Sequence, residues 1–196
     1  MPTLLDFRRR IGFVFQEGAL FDSMTVEDNV AFRLQEEHVA EEEIDTRVRE
    51  ALRFVELEGA LEKFPAELSG GMRRRVSIAR ALVDRPPLVF YDSPTAGLDP
   101  VTSQTIITLI LRGRDLQDVT SLMATHRVQD AFGLANFRFD KVTGHVTRLG
   151  GNGARPDAPP TNVMVLRNGE IYFEGAAEEL LHSSDQYLKQ FLLAAE

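Results

Sequence analysis

Ser69, Gly70 and Gly71 open a run, residues 68–82, that reads as a helix. The first N–H groups of a helix lack partners inside it and carry partial positive charge, so they attract phosphate. Paired glycines let a backbone approach a ligand closely and accept positive φ. Ser69 adds a hydroxyl donor. Together they would cradle phosphate oxygens without a lysine. The same tripeptide also marks the ordinary N-cap of a surface helix, so residues elsewhere must decide.

The second group is a carboxylate. Residues 88–91, Leu-Val-Phe-Tyr, form a short apolar run that ends at Asp92. Such a run suits a strand buried on both faces of a parallel sheet. Asp92 then projects at the strand's carboxyl end, where open α/β sheets bind ligands. A carboxylate there fits a nucleotide-bound magnesium. In isolation it fits a helix cap equally well.

In order along the chain, these residues resemble the motifs of ATP-binding cassette (ABC) transporter ATPases. Residues 68–72 match the family's signature motif, 88–92 its Walker B strand and Gly97-Leu98-Asp99 its D-loop. Thr125-His126 match its switch-histidine loop. Phe15-Gln16, ending a strand over residues 11–15, match its Q-loop. The resemblance runs from Arg8 onward. It implies an α/β fold: a partial P-loop NTPase (RecA-like) core with a parallel sheet plus an inserted helical subdomain. It implies ATP and Mg2+ as cofactors. Ser69, Gly70 and Gly71 would face the nucleotide of a second subunit, and Gln16 and Asp92 would hold magnesium and water. Asp99 would sit at the nucleotide and communicate across the dimer, and His126 would contact the γ-phosphate. The implied partners are transmembrane permease subunits and a second ATPase subunit, as a homodimer. The implied location is cytoplasmic, peripheral on the inner membrane through the permease.

A narrower resemblance lies in residues 16–26, 91–103 and 184–192. These look like the ATPases of lipid-handling transporters, of the mammalian-cell-entry and lipid-asymmetry types. They imply lipid or other hydrophobic cargo.

The sequence departs from the family pattern in two places. No Gly-x-x-x-x-Gly-Lys-Ser/Thr phosphate loop (Walker A) occurs in it, although family members carry one ahead of the Q-loop. Residues 1–10 resemble the middle of a member, so an N-terminally truncated chain, supplying only the trans half of a site, is expected. Removing the phosphate-loop strand is also expected to leave the 88–91 strand short of a neighbour and prone to aggregate. Second, Ser93 follows Asp92, where members place a glutamate that polarises the attacking water. A serine hydroxyl is a poor base near neutral pH, and losing a general base costs about 10²–10⁴ in rate. Slow hydrolysis is expected, with Ser93 at the base position and His126 the residue placed to compensate. The alternative is a non-catalytic, nucleotide-responsive protein that offers its signature face to an intact ATPase.

Composition sets outer bounds. With no cysteine, a disulfide framework and a thiolate metal site are excluded. A formal net charge of −8 argues against nucleic acid as a partner. No apolar run is long enough to span a bilayer, and no signal peptide is read.

The elements that must position these residues divide the chain. Residues 1–26 read as core with the Q-loop, 27–80 as a helical subdomain ending in the signature, and 81–143 as core with Walker B, D-loop and switch histidine. Residues 144–161, rich in Gly and Pro, read as a flexible insertion. Residues 162–182 contain a hairpin turning at Asn168-Gly169, and 183–196 a last helix capped by Ser183 with Gln186. Thr25 and Asp28 form a capping-box pattern at the first subdomain helix. Its successor carries Ile44, Val48 and Leu52 on one face, behind an acidic run at residues 41–43. Arg73, Arg74 and Arg75 read as a solvated face. The last helix has an apolar face of Tyr187, Leu188, Phe191 and Leu192, suited to its own core or to a partner subunit.

Overall fold

A computed structural model describes residues 3–149 and 161–193. The chain divides into two units, Met1–Ala124 and Thr125–Glu196.

The first unit begins with α1 (Leu4–Arg9), β1 (Ile11–Val14), α2 (Val26–Glu36), α3 (Glu41–Phe54) and α4 (Gly70–Leu82). It continues with β2 (Leu88–Asp92), α5 (Pro100–Gln117) and β3 (Thr120–Ala124). The strands form a three-stranded parallel sheet in the order β1-β2-β3. Parallel neighbours need crossover connections. Helices α2–α4 make the first and α5 the second.

Local chemistry sets the helix starts. Thr25 Oγ1 accepts from the Asp28 N–H at 3.1 Å, and Asp28 Oδ2 accepts from the Thr25 N–H at 3.2 Å. This closes the box that the spacing predicts. On α3, Val48 and Leu52 are buried, and Glu41–Glu43 stay in solvent, at the end where the helix dipole favours negative charge. The core gathers Val30, Leu34, Leu52, Ile78, Ile106 and Ile110.

The strand at residues 88–92 differs from expectation in two respects. It is central and has both neighbours, with Tyr91 level with Val14 of β1 and Met123 of β3. The unpaired edges are therefore those of β1 and β3. It is also buried on one face only. Gly12, Val14, Val89 and Tyr91 are buried on the face that carries α4. A Cβ on Gly12 would lie 2.5 Å from the Ala81 carbonyl oxygen, so α4 seats tightly on β1. On the opposite face Phe13 and Leu122 are exposed, as is Phe15 just beyond β1. Phe13 packs beside Phe15 and Phe90 at ring-centroid distances of 4.4 and 6.1 Å. A continuous apolar run fixes a strand but not how many of its faces are covered.

The second unit comprises α6 (Val128–Asn136), β4 (Phe137–Asp140), β5 (His145–Arg148), β6 (Asn162–Arg167), β7 (Glu170–Ala176), α7 (Ala177–Leu181) and α8 (Gln186–Leu193). β4–β5 and β6–β7 are antiparallel pairs. Asn168 and Gly169 take φ of 53° and 82°, the two positive angles of a type I′ turn that this dipeptide signals. β5 falls in the stretch read as an insertion, and residues 150–160 of that stretch lie outside the described residues. The last helix starts later than expected, because Asp185 is the cap: its Oδ1 accepts from the Leu188 N–H at 2.9 Å. Ser183 Oγ instead accepts from the Asp185 N–H. Leu188 packs with Val165 and Leu180 inside the unit's own core, with Tyr187, Phe191 and Leu192 partly buried around them.

Candidate functional site

The start of α4 is held from both sides. Ser69 caps it, its Oγ accepting from the Met72 N–H at 3.2 Å and its carbonyl from the Arg73 N–H at 2.9 Å. Gly70 precedes these residues at an exposed tip, while Gly71 is buried. Neither glycine takes a positive φ. A Cβ on Gly71 would overlap Thr102 Cγ2 of α5, whereas one on Gly70 would meet nothing closer than Leu98 Cδ2 at 3.7 Å. Close helix packing therefore accounts for Gly71, and an open approach remains only at Gly70. The doublet in the sequence could not distinguish these reasons.

Gln16 is exposed just past β1. The backbone turns there, with the Gly18 N–H donating to the Phe15 carbonyl at 2.9 Å. Gly18 and Ala19 take φ of 84° and 46°. Two arginines of α4 clamp this turn. Arg74 donates to the Phe15 carbonyl at 2.7 Å. Arg80 donates to the Gly18 and Ala19 carbonyls at 2.9 and 2.8 Å. Arg74 is only 6% exposed, so the arginine run is not a solvated face throughout. Helical periodicity turns one member of such a run inward. Burial pushes both guanidinium pKa values down. For Arg74 the carboxylates of Glu17 and Asp92 oppose that shift. An arginine so placed stays charged.

Asp92 is half-buried at the carboxyl end of the central strand. Ser93 follows with φ of 43°, a left-handed conformation that costs a non-glycine residue about 1–2 kcal/mol. Its N–H donates to the Ala124 carbonyl at 2.8 Å, and its own carbonyl accepts from the Ala96 N–H at 3.0 Å. Gly97 supplies the positive φ, 73°, that carries the chain into α5. Asp99 caps that helix: Oδ1 accepts from the Val101 and Thr102 N–H groups, both at 3.0 Å. Hydrogen bonds from the Thr102 hydroxyl and backbone N–H hold its carboxyl below the usual range.

Gln16, Ser69, Gly70, Gly71, Asp92, Ser93 and Asp99 all lie in the first unit. His126 lies at the start of the second, exposed. The adjacent Thr125 Oγ1 accepts from the Arg127 N–H at 3.0 Å and donates to Asp130 Oδ2 at 3.3 Å. A cavity of about 500 Å³ in the first unit is lined by Glu17, Gly70, Arg73, Arg74, Ala96 and Leu98. The Q-loop segment, the start of α4 and the D-loop turn thus share one hollow. Gln16 lies just past β1 and Asp92 ends β2, at the same end of adjacent parallel strands. Both are hard oxygen donors, which fits magnesium completed by phosphate and water. Among the described residues no group of three or more His, Asp or Glu could hold a metal by itself, and no helix is long and apolar enough to cross a membrane. The arginine clamps were not read from the sequence. Their acceptors are backbone carbonyls 59–62 positions away, which leave no local signal.

Known proteins match this chain as follows. The ABC transporter family matches residues 2–96. The intermembrane phospholipid transport system ATP-binding protein MlaF of Haemophilus influenzae is 33% identical over 190 residues, 96% of this chain and 62% of that protein. The probable ribonucleotide transport ATP-binding protein mkl of Mycobacterium leprae is 37% identical over 191 residues, 96% of this chain and 48% of that protein. Among solved structures, the dimeric post-hydrolysis state of the ATP-binding cassette MJ0796 bound to ADP and Pi is similar with a TM-score of 0.66 and 29% identity. That match covers 87% of this chain and 64% of the cassette. The chain thus spans between about half and two thirds of the length of these relatives.

Proposed function

We propose that this chain, which belongs to the ABC transporter ATPase family, is the ATP-binding and ATP-hydrolysing subunit of a transporter that moves lipids or other hydrophobic cargo. One observation carries the reading. The Q-loop segment, the start of α4 and the D-loop turn line a single cavity, and Asp92 ends the central strand of the same unit.

Mg-ATP supplies the phosphoryl group and the charge that the site must hold. Phosphoryl transfer is mostly positioning and electrostatics, and the residues divide that work. Asp92 and Gln16 would hold magnesium, which would supply charge to the phosphates and orient the attacking water. Ser69 and Gly70 offer donors to the phosphates bound by a second subunit, and Asp99 lies at that shared boundary. For His126, in the second unit, the family resemblance alone supports a role at the γ-phosphate. Ser93 stands beside the water as a weak hydrogen-bonding partner, so turnover is slow. Pairing and separation of two ATPase subunits drive the permease, which holds this subunit at the cytoplasmic face of the membrane.

The cargo is supported by the phospholipid named for the Haemophilus relative and by the lipid-type segments of the sequence. The mycobacterial relative is named for ribonucleotides, so the test compares both. The complete gene product, assembled with its permease in proteoliposomes, is supplied with a fluorescent phospholipid or a labelled ribonucleotide. ATP-dependent movement of the phospholipid alone is expected. Movement of the ribonucleotide, or of neither, contradicts the lipid assignment.

A further inference from the structure

Arg74 has a feature that its place in the signature helix does not require. Its guanidinium is buried and forked between two loops. One nitrogen donates to the Phe15 carbonyl at 2.7 Å, and the other to the Ala96 carbonyl at 3.4 Å. Phe15 immediately precedes Gln16. Its carbonyl also accepts from the Gly18 N–H, so Arg74 grips the atom on which that turn closes. Ala96 stands between Ser93 and Gly97, and its N–H closes the turn after Asp92 onto the Ser93 carbonyl. Arg80, on the same helix, reaches only the first loop, at Gly18 and Ala19.

We propose that Arg74 is a positioning residue that locks the Gln16 turn and the Ser93–Gly97 turn to α4, so that the two loops move as one piece with the helix. The functional consequence rests on the ATPase reading above; the tie itself does not. A planar guanidinium has separate donors in a rigid fork and can hold two carbonyls at once, which a point charge cannot do. The arm to Phe15, at 2.7 Å, has the short length of a strong charge-assisted bond, and the arm to Ala96, at 3.4 Å, is the longer and weaker one. Any displacement of Gly70 at the tip of α4 is then transmitted to the groups that orient magnesium and water. Glu17 and Asp92, one in each region, supply the negative charge that retains the buried cation.

Hydrogen exchange on the intact chain tests the tie, comparing Arg74→Met with Arg80→Met. Arg74→Met is expected to raise amide exchange in both residues 15–19 and residues 94–98 by about tenfold or more, the scale of a lost charge-assisted bond. Amides in the middle of α5 should stay protected. Arg80→Met is expected to raise exchange in residues 15–19 alone. If Arg74→Met loosens only one loop, neither loop, or all of α5 as well, the proposal is overturned. A second readout uses the complete gene product with its membrane partner. There Arg74→Met should lower kcat for phosphate release about tenfold while leaving KM for ATP within about twofold. A matching rise in KM would make Arg74 a binding residue and overturn the positioning role. If the unaltered protein releases no phosphate but the exchange pattern holds, the ATPase reading fails and the tie stands.

Discussion

Asp99 and Ser93 show how single positions carry more than one demand. The D-loop position of Asp99 implies a role at the nucleotide, and in the fold its carboxylate caps α5. Its pKa is held down in the folded chain by Thr102 and the helix N-terminus. A carboxyl depressed on folding stabilises above its unfolded pKa, near 4, and loses that contribution as pH falls through the folded value. Asp99→Ala should therefore lower the melting temperature at pH 7, and the gap to the unaltered protein should narrow as pH falls below about 4. Melting curves across pH check this, and a gap as wide at pH 2 as at pH 7 would contradict it. Ser93 was legible as a departure from a glutamate-bearing pattern. Its left-handed backbone was not, because nothing in Asp-Ser-Pro requires a positive φ.

The helices were the most legible elements, although the cap of α8 was read at Ser183 and lies at Asp185. The capping box at Thr25 and Asp28, the hairpin at Asn168-Gly169 and the apolar face of α3 are local signals, and local chemistry fixes them. What the sequence hid depends on neighbours distant in the chain. The overlap between a Gly71 Cβ and Thr102 involves α5, and the grip of Arg74 involves two loops. The glycine doublet gives a direct check. Gly71→Ala forces α4 from α5 and should destabilise by about 1–3 kcal/mol. Gly70→Ala meets only open space and Leu98, so its stability should be unchanged or raised by up to about 1 kcal/mol. Denaturant titration of the two variants distinguishes them; equal losses would mean that α4 and α5 do not pack as described.

At the scale of the whole molecule, the order of motifs pointed to an α/β core with a helical insert, and the parallel sheet with its long helical crossover bears that out. The sheet's coverage was not legible: apolar alternation cannot say which face a helix will cover, and here Phe13, Phe15 and Leu122 stay exposed. The proposed function would put slow ATP hydrolysis at the carboxyl end of that sheet, with Ser93 where relatives of the resembled family carry a carboxylate. Steady-state phosphate release by the complete gene product with its membrane partner tests this most directly, for the unaltered protein, Ser93→Glu, and Ser93→Glu combined with Asp92→Asn. The glutamate should raise the rate by about tenfold or more, the scale of a restored general base, with little change in ATP affinity, and Asp92→Asn should abolish the gain. A rate for Ser93→Glu equal to or below that of the unaltered protein would contradict the account and shift the chemistry to another residue, His126 first.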